Sequence, residues 1–213
     1  MIIVTLLRLP MAASTSGQRG PSDHHRREQI IEQADAHFRL YGYRKTSVAS
    51  LAKAIGVSSA YLYRFFDSKQ AIGQAICHSV LAGLTTQLQD IVDSELPAIE
   101  KLRRYTDTAC TLSLELFLQE GRMHEVVIEA LQSSWPAVAQ YEQQLLTQIT
   151  TLVLYGRASG EFERRTPPDE VALGILEALT PCLHPMLLEL RPPHETRKGL
   201  HLVTQLILRS LMP

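Results

Sequence analysis

The sequence GVSSAYLYRFFDSK, from Gly56 to Lys69, carries the strongest structural signal in this chain. Its aromatic residues crowd into six consecutive positions: Tyr61, Tyr63, Phe65 and Phe66. A glycine and serines typical of a turn come before them, and Ser68 can begin another helix after them. Side chains of neighbouring residues point all round a helix, so some of these rings are expected to face outward.

Two short helices are predicted around this turn. The first carries apolar residues at i, i+3, i+4 and i+7, the spacing of one helix face: Val48, Leu51, Ala52 and Ile55. Thr46 or Ser47 can cap it, and Gly56 ends it. Ser58 can cap the second helix, which is expected to reach Phe66. Two helices of this length, joined by so short a turn, predict a helix-turn-helix whose second helix reads the DNA major groove.

The second helix separates into core and contact positions. Leu62 and Phe66 lie four residues apart and are expected to face the core, whereas Tyr63 and Phe65 are expected on other faces of the helix. Tyr61 can reach base edges, and the hydroxyl of Tyr63 is a suitable donor to a phosphate oxygen. Lys69 adds a positive charge at the next helix start. The small side chains of Ser59 and Ala60 would let the helix backbone approach DNA closely.

The rest of the chain is also predicted to be helical, with about nine helices and no sheet. A first helix from Ser22 to Leu40 forms an apolar face from five residues: Ile30, Ile31, Ala34, Phe38 and Tyr41. A long helix starts at Lys69 and reaches Leu88 or beyond. The helix from Ala98 to Gln119 is apolar on all sides and is expected to be central. Pro181 and Pro185 should kink or split a later helix.

Composition narrows the class of protein. The 213 residues carry a formal net charge of −1, and 45% of them are hydrophobic, which allows a large core. The three cysteines have no metal-type spacing and favour a reducing cytoplasm. The apolar start is too short to span a membrane, so no membrane association is predicted. Met11 is the preferred start of the natural chain, and residues 1–21 are expected to be disordered.

No catalytic or metal-binding pattern is present. The eight histidines lack the spacing of zinc sites, and no nucleophile turn or glycine-rich phosphate loop occurs. We therefore predict no enzyme activity, no metal and no cofactor. Arg19, Arg26 and Arg27 precede or open the first helix, and they form either a basic arm for DNA or a solvated tail.

The stretch TSVASLAKAIGVSSAYLYRFFDSKQAI, Thr46 to Ile72, closely resembles the DNA-binding signature of the TetR family of bacterial transcription regulators. The shared features are a threonine-led short helix, the Gly-Val-Ser turn, a Leu-Tyr pair, a phenylalanine and a Ser-Lys helix start. The departures lie at Ala60, Tyr61 and Phe65, where family members often have glycine or proline, threonine, and histidine. The resemblance implies these DNA-binding residues: Thr46, Ser47, Val48, Ala49, Ser58, Ser59, Ala60, Tyr61, Tyr63 and Lys69.

The remainder resembles the ligand-binding and dimerisation domain of the family. The stretches SSWPAVAQYEQQLLTQI, GEF and LHP are similar to a branch that often regulates efflux pumps. The implied architecture is all-α, with a three-helix DNA-binding domain at residues 22–68 and a larger helical domain at residues 69–213. A small apolar or amphipathic effector is implied, with five candidate pocket residues: Tyr105, Cys110, Phe117, Trp135 and Tyr141. Alternatively, Trp135 only fills the hydrophobic core and lines no pocket.

The predicted function is a homodimeric repressor that leaves near-palindromic operator DNA when its effector binds. The last two helices carry apolar stripes, and one helical layer cannot cover both, so a partner face is expected. The stripes comprise Ile175, Leu179, Leu200, Val203, Leu206 and Ile207. The alternative is a helical interaction module or adaptor that does not bind DNA, and salt-dependent DNA binding would separate the two.

Overall fold

A computed structural model describes residues 21–116 and 123–213, and these residues form ten α-helices and no strand. The predicted all-α class is therefore confirmed. The helices are α1 (Pro21–Tyr41), α2 (Val48–Ile55), α3 (Ser59–Tyr63), α4 (Lys69–Asp93), α5 (Ala98–Leu114), α6 (Met123–Gln132), α7 (Pro136–Ala158), α8 (Pro168–Leu183), α9 (Pro185–Leu188) and α10 (Pro193–Leu211). Residues 1–20 and Phe117 lie outside the described residues, together with the predictions made for them.

The first three helices form a small core against the start of α4. Helix α1 packs on α2 and α4, and α2 packs on α3. Ala34, Phe38, Leu51 and Leu62 are at most 1% exposed, so one apolar face of each short helix is removed from water. The predicted face of α1 is correct except at Tyr41. That ring is 52% exposed and stacks on His37 at 4.5 Å between ring centroids.

Helix α3 is shorter than predicted, and this changes which of the aromatic side chains are buried. It ends at Tyr63 rather than at Phe66. Because the chain leaves the helical path there, Phe65 and Phe66 can both turn inward, and both are buried. Tyr63 is left outside, with half of its surface exposed. The expectation that Phe65 lies on another face than the core residues was wrong.

Helix α4 connects the small core to the rest of the chain. It begins under Ser68, whose Oγ accepts a hydrogen bond from the Ala71 amide at 3.1 Å. It contacts α1, α5 and α7, and Thr85 and Gln89 of its later turns bond to Gln144 and Gln148 of α7. Helix α5 in turn contacts α4, α7, α8 and α10, which confirms its predicted central position. A movement of α4 would therefore be felt in both parts of the molecule.

The C-terminal helices show the predicted split, at Pro185, and depart from the prediction in the faces that they bury. Pro181 stays inside α8, whereas Pro185 begins the separate short helix α9 after His184. Of the predicted outward stripes, four residues are buried within the chain itself: Ile175, Leu179, Leu200 and Ile207. They face the neighbouring helices because α8 and α10 pack on each other and on α5. Leu206 of the predicted stripes is 64% exposed, and Leu173 and Leu202, which were not predicted, are exposed at 50% and 57%.

Within the described residues, no helix combines the length and the apolar character needed to cross a membrane.

Candidate nucleic-acid interface

Helix α2 is closed at both ends by its own sequence. The Oγ of Ser47 accepts the Ser50 amide and the Oγ of Ser50 accepts the Ser47 amide, each at 3.0 Å, so the two serines form a reciprocal capping box. Gly56 ends the helix with a φ of 78°, in the left-handed region where a side chain would be strained. These local signals set the length and direction of α2.

Helix α3 starts at once after the turn and exposes small residues. The Oγ of Ser58 caps it by accepting the Tyr61 amide at 3.1 Å. Leu62, 1% exposed, fixes its inner face. Ala49, Ser58 and Ala60 are exposed, and Ser59 is half-buried. A surface of short side chains next to a fixed helix suits close approach to a base-pair edge.

The two tyrosines of α3 have different surroundings. Tyr61 is half-buried, and its ring packs on Phe65 at 5.2 Å between ring centroids. Tyr63 is 51% exposed. Neither hydroxyl has a hydrogen-bond partner among the described residues, so both are available as donors. Tyr61 is the more rigid of the two because its ring is held on one side.

Two residues at the start of α2 lie deeper than predicted. Thr46 is only 4% exposed, and its Oγ1 donates to the Gly42 carbonyl at 2.7 Å. Its hydroxyl therefore closes the turn after α1, which corrects its predicted place on the DNA-binding surface. Val48 is half-buried and packs against the core. By contrast, Ser47 and Ala49 are exposed as predicted.

The ammonium group of Lys69 is held by the turn after α1. Its Nζ donates to the Tyr43 carbonyl at 3.1 Å and lies 4.4 Å from the centre of the Tyr43 ring. An ammonium has three donors, so this contact leaves capacity for a phosphate oxygen. The contact also holds the charge in one place, so less side-chain freedom would be lost if the ammonium bound an anion.

Basic residues that the sequence analysis did not select lie near this surface. Lys45 and Lys53 are exposed, and Lys53 lies one helical turn after Ala49 on α2. Arg64 is exposed too, and it pairs with Asp23 at 3.4 Å. The i, i+4 spacing from a predicted contact would have pointed to Lys53.

The residues proposed for the effector pocket are mostly packed solid. Tyr105, Cys110 and Trp135 are at most 2% exposed, while Tyr141 is partly buried. The Tyr105 hydroxyl donates to Gln148 at 3.0 Å, and burial raises the pKa of Tyr105 above its usual range. The ring centroids of Trp135 and Tyr43 lie 5.9 Å apart, so Trp135 fills the core, as the alternative interpretation expected. It joins the start of α7 to the turn after α1.

Open space lies elsewhere among the described residues, in two surface grooves. A groove of about 310 Å³ between α4 and α7 is lined by uncharged polar residues such as Thr85 and Gln144. A groove of about 1510 Å³ runs along α1 and α4 to the end of α5 and the start of α7. Neither is lined by the described pocket candidates, but Leu112, Leu116 and Gln140 bring the larger groove close to them.

Comparisons with known proteins match both parts of this architecture. Residues 30–76 match the family described as "Bacterial regulatory proteins, tetR family", and residues 98–203 match "Tetracyclin repressor-like, C-terminal domain". The HTH-type transcriptional repressor KstR2 of Rhodococcus jostii is 30% identical over 169 residues, covering 79% of this chain and 70% of that protein. The chain belongs to the TetR family. It is a DNA-binding transcription regulator, and this family is not enzymatic.

Solved structures agree on the fold. A TetR-family transcriptional regulator from Pectobacterium atrosepticum superposes with a TM-score of 0.75 at 20% identity, covering 92% of this chain and 98% of that one. SmeT, the repressor of the Stenotrophomonas maltophilia multidrug efflux pump SmeDEF, gives a TM-score of 0.61 at 19% identity, covering 88% and 90%. At such identities the likeness shows the fold alone.

Proposed function

We propose that this TetR-family regulator is a cytoplasmic repressor that binds a near-palindromic operator as a homodimer and is released by a small apolar or amphipathic effector. The observation that most supports an operator contact is that α3 has one buried face and one exposed face. Leu62 fixes it to the core, while Ala60 and Tyr63 are exposed on its other faces.

The proposed DNA surface keeps most of the predicted residues and the boundary between residues 22–68 and 69–213. Helix α3 would enter the major groove, with Ser59, Ala60 and Tyr61 toward bases. Ser47, Tyr63 and Lys69 would bind phosphates. The remaining proposed contacts are Ala49 and Ser58.

The test of this surface is binding to DNA from upstream of the gene, measured by fluorescence anisotropy at several salt concentrations. Specific binding should fall linearly on a log–log plot against salt, because each phosphate contact releases counterions. A random duplex of equal length is the control. A protein that binds neither duplex at low salt would support the alternative function of a helical adaptor.

The proposed dimer face lies on α8 and α10. Leu173, Leu202 and Leu206 are each at least half exposed, and the two helices contact each other within one chain. A second copy related by a two-fold axis would cover these leucines and form a bundle of four helices. Such symmetry would place two copies of α3 about one DNA turn apart, or a multiple of it, on a near-palindrome.

The effector site is proposed at one end of the larger groove, where the wall formed by Leu84, Leu112 and Leu116 is apolar, whereas the part along α1 carries charged side chains. Of the predicted pocket residues, Tyr105, Cys110 and Tyr141 would lie behind this wall. An effector acts only if it binds better to the form that does not grip DNA. Efflux or detoxification genes remain the proposed targets, because apolar compounds of that kind fit these walls.

Two connections would carry the signal to the DNA surface. The first is α4, which runs from Lys69 at that surface to the ligand domain. The second joins α6 to the turn after α1. Arg44 donates through Nη2 to Gln132 at 3.1 Å and lies 3.8 Å from Glu129. A coupling of about 1–3 kcal/mol would weaken operator binding roughly 5- to 150-fold.

The effector proposal is tested with a panel of apolar dyes, drugs and acyl compounds. A true effector should raise the melting temperature and release operator DNA. Both effects should weaken with Leu112→Trp, which places a bulky ring at the apolar end of the groove, provided that this variant still binds the operator. A compound that stabilises the protein without changing operator affinity would show a pocket without a switch.

A further inference from the structure

The exposed face of α8 carries carboxylates on both sides of its exposed leucine. The charged residues of this helix are Asp169, Glu170 and Glu177, all of them exposed, and α8 has no lysine or arginine. They lie four and three positions before Leu173 and four positions after it, so they share the face of this leucine. This face of α8 is therefore apolar in its middle and negative toward both ends.

The exposed face of α10 carries mainly the opposite charge. Lys198 lies four positions before Leu202, and Arg209 lies three positions after Leu206, so both share the face of these exposed leucines. Glu195, near the start of the helix, is the one acidic residue of α10. Basic side chains thus border the leucines of α10 as carboxylates border the leucine of α8.

These opposite charges do not pair within one chain, although α8 and α10 pack on each other. Among the described residues, no carboxylate of α8 forms an ion pair, and neither Lys198 nor Arg209 forms one. Glu177 instead lies beside another carboxylate, because partial burial and the Glu177 charge raise the pKa of Glu142 on α7. A single chain therefore leaves both charged faces without partners.

Helix dipoles explain part of this pattern but not all of it. A carboxylate in the first turn and a basic residue in the last turn stabilise any helix, which accounts for Asp169, Glu170 and Arg209. Glu177 lies in the third turn of α8 and Lys198 in the second turn of α10, where the dipole has little effect. These two charges are therefore the ones that indicate a partner.

We propose that a second copy of this chain packs its α10 on α8, and that the opposite charges of the two faces select this arrangement. The proposal rests on the proposed homodimer and names the helices that meet in it. The leucines would cover each other, and opposite charges would meet in either helix direction because they border the leucines at both ends. Packing α8 on its own copy would instead bring carboxylates against carboxylates, which like-charge repulsion disfavours. Two-fold symmetry would repeat the favourable contact.

The same charges would make the dimer self-specific. A chain of the same fold with other charges on these two helices would lose the attraction or add repulsion. The partner that fits this surface is therefore another copy of the same chain, with an acidic face on α8 and a basic face on α10.

Three charge variants test this arrangement. Glu170→Lys with Glu177→Lys makes both faces mainly basic, and Lys198→Glu with Arg209→Glu makes both faces acidic. The fourfold variant combines all of these substitutions and exchanges the two charges. Sedimentation equilibrium should show a dimer dissociation constant raised about tenfold or more in each double variant and restored in the fourfold variant. High salt should reduce the differences because it screens exposed charges.

Mixing the two double variants separates contacts between chains from repulsion within one chain. Each variant has like charges on its own α8 and α10, but in a mixed dimer each α8 would meet an oppositely charged α10. Native mass spectrometry should therefore find mixed dimers above the statistical share, which two unaltered copies of different mass should show. Arg197→Glu is the matched control, because nine positions from Leu206 place it on the opposite side of α10, and it should leave the dimer unchanged.

The proposal is overturned if folded double variants dimerise as tightly as the unaltered protein, or if the fourfold variant is as weak as they are. Circular dichroism checks folding, and Glu177→Lys and Lys198→Glu alone replace a double variant that unfolds. A dimer that tolerates every reversal would remove the charge selection and leave the proposed homodimer standing. A monomeric unaltered protein would overturn the homodimer and this proposal together.

Discussion

Lys69 shows how one side chain can serve the fold and the proposed site together. Its ammonium lies over the Tyr43 ring and donates to the carbonyl of the same residue, yet it retains donors for a phosphate. Removing it should therefore have two effects: a small loss of stability and a loss of DNA affinity that does not depend on sequence.

We predict that Lys69→Ala weakens binding to operator and random DNA alike and lowers the salt slope by roughly one unit. The measurement is fluorescence anisotropy across a salt series, below the melting temperature of the variant. Lys69→Arg keeps a positive charge there and should retain most of the slope. An unchanged slope in Lys69→Ala would exclude a phosphate contact by this side chain.

Tyr61 and Tyr63 can be distinguished by removing only their hydroxyl groups. Tyr63→Phe should weaken binding to all DNA sequences equally, by about 0.5–1.5 kcal/mol, because one hydrogen bond to a phosphate is lost. Tyr61→Phe keeps the ring contact with Phe65 and should cost about 1–3 kcal/mol on the operator with little change on random DNA. Equal losses on the two duplexes in Tyr61→Phe would show that this tyrosine does not read sequence.

At the scale of elements, α4 depends on a close approach that the sequence pattern does not reveal. A Cβ added at Gly73 would lie 2.7 Å from Trp135 and 2.8 Å from Tyr43. Both rings are buried and pack on each other, so neither can move aside easily. Gly83 lies ten positions later on the same helix, is exposed, and has nothing within 4 Å of an added Cβ.

This contrast gives a prediction with an internal control. Gly73→Ala should reduce the free energy of unfolding by about 1–3 kcal/mol through overpacking. Gly83→Ala should raise it by about 0.4–1 kcal/mol, because alanine restricts the unfolded chain at a compatible helical site. Urea unfolding followed by circular dichroism measures both. A stable Gly73→Ala protein would mean that the contact among α4, Trp135 and Tyr43 is loose.

At the scale of the whole molecule, the proposed dimer rests on leucines that a single chain leaves in water. Leu206→Glu places a charge in the proposed face and should shift sedimentation from dimer to monomer at micromolar concentration. Leu40→Glu is the matched control, since Leu40 is 62% exposed on α1 and Leu206 is 64% exposed on α10. Dissociation by the control alone, or a monomeric unaltered protein, would contradict the assignment of this face.

Local chemistry made much of this fold predictable from the sequence. Helix starts at Ser47, Ser58 and Ser68 and the stop at Gly56 depend on hydrogen bonds and dihedral angles within a few residues. The helical class follows from apolar spacing that repeats along the chain. Leu51 and Leu62 were assigned to the core correctly, because each lies on the one apolar face of a short helix.

Only the tertiary structure decided which of several equivalent apolar faces is buried, because that depends on helices distant in sequence. Phe65 turned inward after α3 ended, and Ile175 and Leu200 packed within the chain while Leu173 and Leu206 stayed outside. The Tyr105 hydroxyl of α5 found its acceptor in Gln148 of α7, 43 positions away. Sequence periodicity places a residue on a face of its own helix, but the packing of all the helices determines what that face contacts.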